Sequence, residues 1–253
     1  MLRGEVAKGL DHDPNFHWRG DAVTRIENLS DIAFALALGM LVAGSGTPQT
    51  FDDLGRFLFS IMPVAAGFSV LLGLWHSHFT FFRRYGVADN HIICLNAALI
   101  FVVLYIAYPL RFAFDSFLAF ILMQLGDGTM METLGIKTFD MSGIIIAYYG
   151  LAYAVIQLLM MLMYVHALRK RELLALNSHE VSVTKREVFT HSFLMVFSIV
   201  VAALAYFTWL NGIAGCLFFI TFLPYMIAKR IFPDVMKHEK TKLNDLQQSQ
   251  NIL

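Results

Sequence analysis

The chain has 253 residues and no net formal charge, with 57% hydrophobic side chains and only 15% charged ones. A soluble domain carries about 25% charged residues, so the composition excludes an ordinary cytosolic fold and points to a membrane protein. With no basic surplus, a nucleic-acid partner is not expected.

Residues 1–24 are polar and read as a cytoplasmic N-terminal segment, lying on the membrane surface or partly disordered. Stretches free of Asp, Glu, Lys and Arg then run over 32–51, 57–82, 92–110, 141–168 and 188–228. About 20 helical residues cross a hydrocarbon core, so each of the first four is long enough for one crossing. The last is twice that length and contains Asn211-Gly212, a pair suited to a tight reversal. Six spanning helices are therefore expected, near 30–46, 56–82, 90–111, 142–168, 188–209 and 213–231. The fold class is an all-α integral membrane protein whose transmembrane domain covers 25–235. Continuous apolar runs, rather than alternation of period two, exclude a β-barrel.

Residues 112–125 are apolar and follow Pro109. They read as a continuation of the third helix or as an interfacial helix. Residues 169–186 read as a basic linker and 236–253 as a cytoplasmic tail. Cys94 and Cys216 fall inside expected helices and read as core residues. With both termini inside, sixteen Lys and Arg lie on the inner side and three, Arg56, Arg111 and Lys137, on the outer side. Cationic residues accumulate on the cytoplasmic side, which sets the orientation of a multi-pass protein, expected in a bacterial inner membrane.

One motif opens the first apolar run: Arg25, Ser30 and Asp31 stand in the pattern R-x-x-x-[FL]-S-D, with Leu29 in the fifth place. Trp75 and His78 follow in W-x-x-H on the second helix, then Asp89, Asn96 and Pro109. In this order the residues resemble the lysosomal potassium channel family, transmembrane protein 175, over roughly the first 110 residues. The resemblance implies a potassium-permeable cation channel built as a homotetramer, six helices per subunit, with the first helix lining the pore. It implies no cofactor beyond the permeant potassium ion. Partners would be other copies of the chain, the lipid bilayer and monovalent cations. Carried over by position, the constriction falls at Leu36, Met40 and Ala43, with Gly39 where the family usually places a Thr.

Leu36, Met40 and Ala43 are spaced i, i+4, i+7, one stripe of a helix. The same stripe would serve equally against lipid or a neighbouring helix. Gly39 offers no hydroxyl, and Ala43 is too small to seal a pore, so a leakier and less potassium-selective path is expected than in a fully matching relative. Five residues at 100° each put Asp31 about 140° round from Leu36, away from that stripe. Arg25 is six residues away and cannot pair with it along the helix. Asp31 therefore needs a partner elsewhere, and Trp75 and His78, three apart on one face, are candidates, with Arg25 of a neighbouring copy as a third. The resemblance gives Arg25, Ser30, Asp31, Trp75 and His78 the role of a network locking the first helix. Alternatives remain: Ser30 and Asp31 as a helix cap, Trp75 as an interfacial anchor.

His76 and His78, two apart, point to opposite sides and form no helical metal site. His166 and His191 read as satisfied core or interface residues. No nucleophile elbow, zinc-protease motif or phosphate-binding loop occurs, so an enzyme is not expected. A secondary transporter is the alternative. It is disfavoured by the scarcity of ionisable residues along helices one, four and five.

Overall fold

The computed structural model describes residues 13, 15–20, 22–44, 49–136, 139–207, 214, 216–217, 226–227 and 231. Among them every regular element is a helix: α1 Arg25–Ala43, α2 Phe51–Phe59, α3 Ile61–Tyr85, α4 Asn90–Gln124, α5 Thr129–Thr133, α6 Phe139–Arg169 and α7 Ser178–Phe207. Four stretches are long and apolar enough to cross a membrane: α1, Asn90–Ala107 of α4, Met141–Arg169 of α6, and α7. The 25-residue α3 is long enough, at about 37 Å, but Trp75, His76, Ser77 and His78 make its second half polar. The expected sixth helix lies almost wholly, and the tail wholly, outside the described residues.

Several boundaries differ from the sequence reading, each for a local reason. Thr24 caps α1 through a reciprocal pair with Glu27, so the helix begins at Arg25 rather than near 30, and Ser30 and Asp31 sit in its second turn instead of at its cap. The expected second helix divides at Ser60, whose hydroxyl donates to Phe57 O at 2.6 Å. Pro63 has no N–H and is best placed in a first turn, which favours a fresh start at Ile61. The segment after Pro109 continues α4 without a break to Gln124. The proline carbonyl there accepts the Tyr149 hydroxyl of α6.

The supposed linker 169–186 is mostly helical. Asn177 Oδ1 accepts from Glu180 N, while Glu180 Oε2 accepts from Asn177 N. That capping pair starts α7 at Ser178 and places Lys185 and Arg186 inside it. Both cysteines are exposed and unpaired rather than in the core.

The ends of α1, α3, α4, α6 and α7 that meet at Arg83, Arg84 and Lys170 form one basic end of the bundle. Arg84 pairs there with Glu187 at 3.2 Å, and the Tyr85 hydroxyl meets Thr184 Oγ1 at 2.7 Å. Residues 15–20 run across this end as a packed strap. Phe16 is buried against Tyr85. Arg19 spans to Glu180 at 2.7 Å and to the carbonyls of Leu174 and Ala175. The strap passes so close to α3 that a Cβ on Gly20 would lie 2.4 Å from Phe82 O.

Candidate functional site

Helix α1 has two unlike faces. Ser30, Ala33, Phe34, Ala37 and Leu41 are buried against α3 and α4. Leu29, Ile32, Leu36 and Val42 are exposed, Leu36 by 54%. Gly39 and Ala43 share the exposed side and Met40 is half-buried. A Cβ added at Gly39 would meet nothing within 4 Å. The subunit thus fastens α1 by one face and leaves an apolar stripe bare on the other.

Fastening runs through two separate hydrogen-bonded links. At the edge of the bare face, Asp31 accepts from Trp75 Nε1 of α3 at 2.8 Å. The indole stacks on Phe79, over which Arg83 lies at 5.3 Å. Inside the bundle, Asn96 of α4 donates through Nδ2 to Ser30 Oγ at 2.9 Å. Its Oδ1 faces His78 Nε2 at 2.7 Å. An amide oxygen only accepts, so that imidazole nitrogen carries the proton. Ser30 also donates to Ile26 O at 2.9 Å. Ser30, His78 and Asn96 are all buried, and as buried polar groups they are held by having partners.

Trp75 reaches Asp31, whereas His78 does not: it turns inward to Asn96. Arg25 is exposed and meets none of these side chains among the described residues. Asn96 is the hub that joins three helices, and its place among the candidate residues was missed. The available signal was a lone amide at the fifth residue of the apolar run 92–110, which demands a partner once buried.

At the basic end, Asp89 caps α4 by accepting from Ile92 N at 3.0 Å. Its other oxygen meets His166 Nε2 at 2.7 Å and Lys170 Nζ at 2.5 Å, both from α6. Partial burial pushes the Asp89 pKa up, but the hydrogen bonds from Lys170, His166 and the Ile92 N–H outweigh it and hold the carboxyl well below the usual range. His166 is therefore paired at an interface, with His91 stacked on its ring at 5.3 Å.

A multi-pass helical membrane protein that exposes a small-residue and aliphatic stripe on its first helix, while bracing that helix from behind, has the makings of a pore subunit. The comparisons agree with that class. Residues 25–106 match the family model described as endosomal/lysosomal potassium channel TMEM175. A protein of Marivirga tractuosa described as a potassium channel is 36% identical over 190 residues, covering 73% of this chain and 74% of the relative. A crystal structure of a single-residue variant of the potassium channel MtTMEM175, in complex with a nanobody–MBP fusion, superposes with a TM-score of 0.75 at 31% identity. That match covers 87% of this chain and 97% of the other. The chain belongs to the TMEM175 family of potassium channels, a family of channels and not of enzymes.

Proposed function

We propose that four copies of this chain assemble as a potassium-permeable cation channel, with α1 of each copy lining a central path. Each subunit would contribute six spans: α1, α3, α4, α6, α7 and a sixth over 213–231. Both termini would be cytoplasmic in a bacterial inner membrane. The observation that carries this reading is the bare apolar face of α1. The helix is clamped to its own subunit by Ser30, Asp31, Phe34 and Leu41, yet leaves Leu36, Gly39 and Ala43 uncovered. A single α1 cannot enclose a path, whereas symmetric copies can.

Leu36 and Met40 would form the neck, narrow and apolar enough to exclude ions when dry. Gly39 and Ala43 would leave the rest of the stripe wide. Asp31 would stand behind this wall, held by Trp75, and would not face the path. Potassium flux into vesicles reconstituted with the Leu36→Ala variant tests the assignment: flux is expected to rise several-fold. Unchanged flux from an intact assembly would remove Leu36 from the path, and a monomer in solution and in the bilayer would remove the path itself.

A further inference from the structure

Between the α3–α4 pair and the α6–α7 pair lies a partly open cavity of about 720 Å³. The two pairs are tied at the basic end by Arg84–Glu187 and Tyr85–Thr184 and further along by the Tyr149 hydroxyl on the Pro109 carbonyl. The cavity follows α4 from Ile106 to Phe120, a length of about 21 Å at 1.5 Å per residue. Its walls are apolar and aromatic, with Val70 and Leu74 of α3 facing Phe117 of α4 and Ile145 of α6. Its volume falls within the roughly 300–1,000 Å³ of small-molecule sites, and such sites combine apolar walls with a few convergent polar groups.

Several of those polar groups gather toward the basic end, where Glu187 and His191 offer acceptors beside Gln157, Thr190 and the Tyr153 hydroxyl. Gln157 Oε1 and His191 Nδ1 lie 2.6 Å apart, so Nδ1 carries a proton, and in the neutral ring Nε2 is the acceptor. The Thr190 hydroxyl is already given to Arg186 O. Glu187 accepts from Arg84 through Oε1, no other hydrogen bond ends on its carboxylate among the described residues, and the side chain keeps 15% exposure on the cavity wall. It is the only formally charged side chain lining the space among the described residues.

We propose that this cavity is a binding site for a lipophilic amine, a molecule with an apolar body and a protonated nitrogen that donates to Glu187 and His191. Charge and hydrogen-bond polarity both select the head group. A carboxylate head would face an acid and an unprotonated imidazole nitrogen, and an alkane end would leave the acceptors without a donor. The site also has a handle on α1. Ser69, Gly73 and Ser77 line the cavity from one face of α3, while Trp75 and His78 on another face hold the links to Asp31 and, through Asn96, to Ser30. An occupant that shifts α3 shifts the helix assigned to the pore. This second step, unlike the binding itself, rests on the channel reading.

The test uses the full assembled protein in phosphatidylglycerol nanodiscs, titrated calorimetrically with 4-phenylbutylamine and with 4-phenylbutanoate, empty discs serving as the blank. One saturable amine site per subunit is expected, with the carboxylate at least tenfold weaker. A Cβ at Gly73 would meet nothing within 4 Å, so Gly73→Phe can fill the cavity without a backbone clash and should abolish amine binding. Glu187→Gln should weaken it at least tenfold if the variant folds. Equal affinity for the two heads, wild-type binding by Gly73→Phe, or no saturable heat above empty discs would each overturn the site. Potassium flux is then read with and without the amine. A change in wild type that Gly73→Phe lacks supports the coupling, and binding without any change overturns the coupling alone. Absence of flux from every form would overturn the channel reading and leave the titration result standing.

Discussion

The Trp75 indole N–H points at Asp31 Oδ1 across 2.8 Å, joining α3 to α1 at the boundary between the buried and bare faces of the first helix. Trp75→Phe keeps a ring to stack on Phe79 but removes the donor. Because Asp31 is exposed and water can replace the indole, the loss is about 0.5–1.5 kcal/mol. Asp31→Ala should cost a similar amount, and the double variant should fall short of the sum by about 1 kcal/mol. Thermal unfolding of the four proteins measures this cycle. Strict additivity would mean that the two side chains act independently despite their geometry.

Asn96 should prove more sensitive than Asp31. Asn96→Ala leaves the buried His78 Nε2–H without an acceptor and Ser30 Oγ without one of its two partners. A stranded buried donor costs about 1–3 kcal/mol. The double variant Asn96→Leu with His78→Phe removes both ends of the shorter bond and should be milder than Asn96→Ala alone. Unfolding midpoints in detergent decide it: a single variant as stable as the double one would mean that water enters and satisfies His78.

Much of this bracing was legible in the residues themselves. No basic residue on its own helix stands three or four positions from Asp31, so its partner must come from elsewhere; of Trp75, His78 and Arg25 of a neighbouring copy, the structure brings Trp75 to it. The N-terminal boundary of α1 was misjudged because Ser30 and Asp31 are good capping residues. Thr24 with Glu27 satisfies more of the free N–H groups and wins. A comparable pair, Asn177 with Glu180, went unrecognised behind the charges of residues 169–186, which hid a helix start. The one sequence signal for the division at Ser60 is Pro63, set within an apolar run that continues through it, and nothing in the sequence marks the packed strap at 15–20. The polar composition of the strap conceals that Phe16 and Arg19 are fixed by residues about 70 to 160 positions away.

Asp89 gives a pH expectation whose sign follows from its partners. Its carboxyl is held below the value of about 3.9 for a free Asp. The clasp on His166 and Lys170 therefore contributes fully above pH ~4 and is lost progressively as pH falls toward the lower folded value. Asp89→Asn keeps a capping side chain but removes the charge, so it should destabilise the wild-type protein at pH 7, by a difference that shrinks as pH falls below about 4. Unfolding midpoints of both proteins across pH 3–7 provide the check. A difference that stays constant over the whole range would show that the charge of Asp89 plays no part.

Gly20 tests whether the strap is held by its close approach to α3. Its N–H donates to Arg83 O at 3.1 Å, and the Arg83 guanidinium returns a bond to Gly20 O at 2.8 Å. The atoms that a new Cβ would strike, Phe82 O and Arg83 Cα, belong to helix backbone and cannot swing aside as a side chain would. Gly20→Ala must therefore lift the strap or bend α3, at about 1–3 kcal/mol, the usual range for a forced fit. Lifting it would also loosen Phe16 from Tyr85 and Arg19 from Glu180, so amide exchange should quicken at His17, whose N–H is bound to Glu180. Gly55→Ala is the matched control, because its Cβ would meet nothing within 4 Å and a helical alanine gains up to about 1 kcal/mol over glycine. If the two variants moved the unfolding midpoint alike, contact with the α3 backbone would not be what fixes residue 20.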